Sequence, residues 1–149
     1  MTLPSGSMFL PTPHHIGIVV KDRDKTLEVL KSWGIEIRRA RDFTPPKEEL
    51  MIGEQYSLKC ADCKLGSMEL QVIEPVWGKS CWSDFLETKG EGIQHIAFGC
   101  TPEEWDERVA KAKELGWKMV AGGMVEAHIH RWCYFDTGAS DIVIEFEEV

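Results

Sequence analysis

The sequence predicts an α+β protein in which one pattern, strand–helix–strand–strand–strand, occurs twice. The βαβββ order can be read from about 14 to 75 and again from about 92 to 149. Each copy opens on a strand that carries a histidine and closes on a strand that carries an oxygen donor. A chain of 149 residues, 43% of them hydrophobic, can bury a core without disulfide or metal staples.

The elements follow in order. The first 13 residues, with Pro4, Gly6, Pro11 and Pro13, predict a loose tail ahead of a single domain over 14–149. A strand fits about 15–20. A helix fits about 24–33, with Leu27, Leu30 and Trp33 along one side and Gly34 as its stop. A strand at 35–41 leads into a loop around Pro45 and Pro46. Strands at 54–59 and 68–74 follow, joined by a turn containing Asp62 and Gly66, and Pro75 closes the copy. Residues 76–91 connect, with a short helix at 80–89 showing Trp82, Phe85 and Leu86. The second copy begins with a strand at 93–99. Its helix, 102–115, has a marked start: Thr101 as N-cap, Pro102 at the first helical position and Glu104 completing a capping box. Trp105, Val109 and Ala112 make its buried stripe and Gly116 ends it. Strands at 117–121, 132–136 and 142–147 complete the copy.

A net charge of -8 argues against nucleic acid or an anionic membrane surface as partner, since both select a basic face. No apolar run is long enough to span a bilayer, and the N-terminus lacks a basic start followed by an apolar stretch. Five cysteines, an odd count without dense spacing, predict no disulfide scaffold and a reducing, cytoplasmic setting. Cys60 and Cys63 form a C-x-x-C at the expected hairpin turn, but no second pair stands at zinc-knuckle spacing.

Four strands share one oddity. Side chains alternate faces along a strand. Ile16, Ile18 and Val20 oppose His15, Gly17 and Val19. Met68, Leu70 and Val72 oppose Glu69, Gln71 and Ile73. Ile96, Phe98 and Cys100 oppose His95, Ala97 and Gly99. Ile142, Ile144 and Phe146 oppose Val143, Glu145 and Glu147. In each strand one face suits packing under a helix, and the other carries a metal-ligand type. Two copies packed about a pseudo-twofold axis would bring His15, Gln71, His95 and Glu145 together. Two nitrogens and two oxygens suit a divalent Zn, Co, Ni, Mn or Fe ion with positions left open for water or substrate.

The segments HHIGIVVKD, MELQVIEP, GEGIQHIAF and DIVIEFEE resemble the vicinal oxygen chelate superfamily of glyoxalases, bleomycin-resistance proteins and dioxygenases, over nearly the whole chain after the tail. The nearest branch is similar to methylmalonyl-CoA epimerase. The resemblance implies a glyoxalase-like fold, two βαβββ modules forming a cupped, barrel-like mixed sheet with helices outside. It maps His15, Gln71, His95 and Glu145 to the metal ligands. It implies Glu54, at the start of a strand ahead of Gln71, as the base, with Glu48 and Glu49 as neighbours that could take its place; Glu54 and Glu145 are then the catalytic carboxylates. The implied chemistry is proton removal next to a carbonyl through an enolate, on an acyl-CoA thioester or a hemithioacetal. Epimerisation, a glyoxalase I-type lactoylglutathione lyase reaction and non-catalytic ligand binding of the bleomycin-resistance kind are the alternatives. Such a chain closes its cup within one subunit or across a homodimer.

The chain departs from the epimerase pattern in several places. Gln94 stands where a histidine often precedes the ligand histidine. The segment GGMVEAHIHRW is poor in glycine after Gly123 and brings in His128 and His130, a pair two residues apart that could bind a second metal or touch substrate. Arg131 beside them could hold a substrate carboxylate. No conspicuous basic cluster awaits a CoA phosphate. Trp77, Trp82 and Trp132 fit either a bulky aromatic ligand or the core. His14, adjacent to His15, is expected on the opposite face.

Overall fold

A computed structural model of the chain describes residues 12–125, 130–139 and 141–149. The expected tail, apart from Thr12 and Pro13, and His128 lie outside these residues. Among the described residues the strands are β1 (Pro13–Val19), β2 (Ile37–Phe43), β3 (Ser57–Leu65), β4 (Met68–Trp77), β5 (Gly92–Cys100), β6 (Lys118–Val125), β7 (His130–Asp136) and β8 (Val143–Glu148). The helices are α1 (Arg23–Ser32), α2 (Cys81–Lys89) and α3 (Pro102–Glu114), with a 3-10 turn at Lys47–Glu49 that the sequence pattern did not predict. None of these helices is long and apolar enough to cross a membrane.

The strands form a single curled sheet in the order β2-β3-β4-β1-β5-β8-β7-β6. The first half, β2-β3-β4-β1, is repeated outward from the centre as β5-β8-β7-β6. β1 pairs with β4 in parallel and β5 with β8 in parallel, while β1 and β5 meet antiparallel at the centre. The α+β class and the cupped mixed sheet are therefore as the sequence implied.

Helix starts follow their local chemistry. The Asp22 side chain accepts from the Lys25 N–H at 3.0 Å, and the Glu104 carboxylate accepts from the Thr101 N–H at 3.2 Å. α1 lays Leu27 and Leu30 on Val20, Ala61, Cys63 and Val72 of the outer sheet face. α3 covers the other half of that face, placing Trp105 and Ala112 over Cys100, Cys133, Phe135 and Phe146. α2 instead sends Trp82 into the inner face, against Tyr56, Trp132 and Tyr134. Trp82 and Trp132 are thus core. Trp77, at the end of β4, is exposed.

Several local expectations are corrected. Trp33 is not on the buried stripe: the helix ends at Ser32 and the ring, at the C-cap, is 70% exposed. β3 runs on through Asp62 to Leu65, and the turn is only Gly66–Ser67, with Gly66 at φ 62° supplying the left-handed residue. Cys60 and Cys63 therefore lie within a strand and enter cores on opposite faces. Pro75 does not end β4. Pairing with β1 stops at Ile73, so from there β4 has one neighbour and tolerates a proline.

Candidate metal centre

Strand register builds the site. Directly paired residues point to the same face. One row across the sheet is Gln71–Gly17–His95, and the next is Glu69–His15–Ala97–Glu145. His15, His95 and Glu145 thus share the inner face of three adjacent strands, and all three are buried. Their tips converge. His15 Nε2 lies 2.9 Å from Glu145 Oε2, His95 Nε2 lies 3.2 Å from the same oxygen, and the two Nε2 atoms are 3.1 Å apart.

Gly17 makes the convergence sterically feasible. A Cβ at this position would sit 1.8 Å from His95 Cε1 and 2.3 Å from each ring nitrogen. The imidazole therefore lies flat over the glycine backbone. The ring also meets the Tyr134 ring at 4.7 Å between centroids, and Tyr134 Oη stands 3.4 Å from His95 Nε2.

Outer contacts set the tautomers. His95 Nδ1 donates to Gln94 Oε1 at 2.7 Å, because an amide oxygen can only accept. The lone pair is then on Nε2, facing His15 and Glu145. Gln94 is itself buried and reaches Cys81 Sγ at 3.6 Å. His15 Nδ1 hydrogen-bonds His14 Nδ1 at 2.7 Å and faces Glu147 Oε2 at 3.4 Å. Each histidine thus has a second partner holding its ring, as ligand histidines do.

The charges of the histidines and carboxylates act on one another at contact distance. Burial opposes a charge on His15, but Glu145 and Glu147 outweigh it and raise its pKa to about 10. Burial also dominates at His95, which is held neutral with its pKa lowered. Burial would raise the pKa values of Glu145 and Glu147, yet the surrounding histidines hold both below the usual carboxylate range. Without a cation the site is a protonated His15 between two carboxylates, beside a neutral His95.

The other expected residues divide. Gln71 lies in the His95 row, and its Oε1 is buried without a hydrogen-bond partner. Glu54 is exposed on the loop before β3, outside the ligand cluster. Glu48 and Glu49 sit in the 3-10 turn, Glu48 exposed and Glu49 half-buried. His130 opens β7, and its Nε2 lies 3.4 Å from Glu147 Oε1. Arg131 is not a free substrate clamp. It alternates with the inward Trp132, donates to Glu148 Oε2 from Nε at 2.9 Å and stacks on Trp105 at 4.9 Å. His14 is also corrected. A register shift between Pro13 and His15 bulges it out of alternation, so it turns toward Glu147 rather than to the opposite face.

Sequence reasoning assigned no role to Glu147, Gln94 or Tyr134. The first was readable, since it stands two residues from Glu145 on the same strand face. A cavity of about 430 Å³, lined in part by Phe85, Val120, Val143 and Gln94, meets the centre only at Gln94. His15, His95 and Glu145 are not among its lining residues.

The family model described as the Glyoxalase/Bleomycin resistance protein/Dioxygenase superfamily matches residues 14–134. The chain belongs to this superfamily. Among solved structures, a hypothetical protein, BH1468 from Bacillus halodurans C-125, superposes with TM-score 0.70 at 25% identity, covering 93% of this chain and 94% of that one. The methylmalonyl-CoA epimerase of Mycobacterium tuberculosis gives TM-score 0.70 at 20% identity over 99% of this chain and 92% of its own. A Streptomyces coelicolor methylmalonyl-CoA epimerase in complex with 2-nitronate-propionyl-CoA gives TM-score 0.70 at 23% identity over 94% and 98%. At these identities the epimerases share the superfamily fold. An uncharacterised Bacillus subtilis (strain 168) protein, YqjC, is 43% identical over 47 residues, which is 32% of this chain and 34% of that protein. This superfamily member thus matches about a third of the length of that curated relative.

Proposed function

We propose that the chain is a divalent-metal-dependent enzyme that removes a proton next to a carbonyl, with a methylmalonyl-CoA epimerase-like reaction. The observation that supports this most is the triangle of His15 Nε2, His95 Nε2 and Glu145 Oε2, with sides of 2.9, 3.1 and 3.2 Å. Three ligands at right angles, each about 2.1 Å from one ion, are about 3 Å apart. Glu145 Oε2, though buried among these nitrogens, makes no hydrogen bond of acceptable direction. The two Nε2 atoms are within hydrogen-bond reach of each other, but the carboxylate oxygen is left for a further partner. His15, His95 and Glu145 would hold the ion, with the unpartnered Gln71 Oε1 as a fourth donor.

A bound Zn, Co, Ni, Mn or Fe ion supplies Lewis-acid polarisation of a carbonyl oxygen, worth several kcal/mol. The remaining work falls to the chain. Gln94 holds the His95 imidazole in the ligating tautomer, and Glu147 stands beside His15 Nδ1. Glu54 is the proposed base, a role worth about 10²–10⁴ in rate. That assignment rests on the resemblance. Glu54 lies on a short loop tied to β6 by the Met51 N–H to Gly122 carbonyl bond and to α2 by Tyr56 packing on Trp82. Return of the proton to the opposite face gives epimerisation, and return to the adjacent carbon gives the glyoxalase I reaction. The proposed substrates are acyl-CoA thioesters or hemithioacetals. The solved epimerases with acyl-CoA ligands support the first class.

The test is solvent-deuterium incorporation at the α-carbon, followed by NMR over a panel of both substrate classes with several divalent ions. Exchange is expected in the wild type, with Glu54→Gln retaining metal but losing most of it. No exchange with any substrate and ion would refute the enzyme reading. Undiminished exchange in Glu54→Gln would remove that residue as base.

A further inference from the structure

We propose that His14, His15 and Glu147 form a second divalent-cation site, outside the first and sharing the His15 ring with it. The geometry repeats the inner pattern. His14 Nδ1 lies 2.7 Å from His15 Nδ1 and 3.0 Å from Glu147 Oε2, and His15 Nδ1 lies 3.4 Å from the same oxygen. All three distances fit ligand atoms gathered around one small cation. Glu147 Oε2, like Glu145 Oε2, is buried without a hydrogen bond of acceptable direction. The other carboxylate oxygen is held by His130 Nε2 at 3.4 Å, the kind of outer contact that orients a ligating carboxylate.

Two features of the backbone make this arrangement. In a regular strand His14 and His15 would face opposite ways. The β-bulge at the start of β1 turns both toward β8. On β8, Glu145 and Glu147 share a face, so one carboxylate stands at each nitrogen of the His15 ring. The outer group is also reachable. The His14 and Glu147 side chains are 35% and 23% exposed, against 4% for His15.

Two imidazole nitrogens and one carboxylate suit a borderline cation such as Zn²⁺, Co²⁺ or Cu²⁺. The metal-free His15 ring carries a proton on each nitrogen. With a cation on each nitrogen both protons would leave to water, and the ring would bridge the two ions. The competing arrangement is a direct N–H···N hydrogen bond between His14 Nδ1 and His15 Nδ1, which accounts for their 2.7 Å contact. It leaves the buried Glu147 Oε2 without a partner, whereas a cation satisfies all three atoms together.

The test is Zn²⁺ stoichiometry of the full chain. Metal-stripped protein is titrated calorimetrically, and retained zinc is measured after desalting. The wild type is expected to bind two equivalents, and His14→Ala and His95→Ala one each, with folding checked by circular dichroism. His130→Gln should keep both equivalents but weaken one step by about 10–100-fold. A stoichiometry that His14→Ala leaves unchanged overturns the outer site, whatever its value. A stoichiometry that His95→Ala leaves unchanged overturns the inner site instead, so the two failures are distinguishable.

Discussion

Gly17→Ala tests the centre without touching a ligand. The glycine is outside the left-handed region, so the backbone accepts alanine. The space does not. A methyl 1.8 Å from His95 Cε1 must gain about 1.6 Å to reach ordinary contact, and the ring it pushes is fully buried against Tyr134. Overpacking of this kind costs about 1–3 kcal/mol. A ring moved that far also leaves the roughly 0.2 Å tolerance of a metal ligand, so metal retention should be lost. In a His95→Ala background the clash disappears, and the same substitution should stabilise by about 0.4–1 kcal/mol through the unfolded chain. The double-mutant cycle should therefore show a coupling of about 1.5–4 kcal/mol. Urea unfolding of the four proteins measures it, and metal analysis of Gly17→Ala completes the test. Additive stabilities together with full metal retention would refute the stacking of His95 on Gly17.

Three further outcomes are expected. The metal-free protein should be most stable near pH 6.5. His15, raised from 6.5 to about 10, contributes stability that is present below 6.5 and lost as pH rises toward 10. His95, with its pKa lowered, makes acid favour the unfolded chain below 6.5, and the lowered Glu145 and Glu147 add to the acid loss. A urea midpoint that rises from pH 6.5 to 9 would contradict the His15 ion pairs. Gln94→Leu removes the acceptor for His95 Nδ1 and should weaken metal binding by about 10–100-fold in a chelator competition, with the stoichiometry unchanged; equal affinity would show that Gln94 does not set the tautomer. Gln71→Ala should weaken metal binding while leaving metal-free stability equal or higher, because it removes a buried acceptor that has no partner. Lower metal-free stability with unchanged affinity would make Gln71 structural.

The superfamily fold was legible through the resemblance of four strand segments, and the inner face because strand alternation has a period of two. His15, Gln71, His95 and Glu145 each oppose an apolar row, so burial of that row under α1 or α3 commits the polar row to the inner face. The same rule would have sent Arg131 outward, since Trp132 goes in. It failed at His14, where a bulge breaks the alternation, and at Trp33, where the helix stops one residue short of the stripe. Glu54 lies in a loop, where no periodicity constrains a side chain.

The sequence by itself determined which side chains share a face along the regular stretches of strand, because alternation there depends only on local backbone geometry. Only the tertiary structure decided that they meet. Convergence needs the antiparallel β1–β5 register that sets Gly17 beneath His95, and the curl of the sheet that brings β8 alongside. It also decided that both nitrogens of His15 find carboxylates, because that depends on a bulge and a strand pairing between residues far apart in the chain.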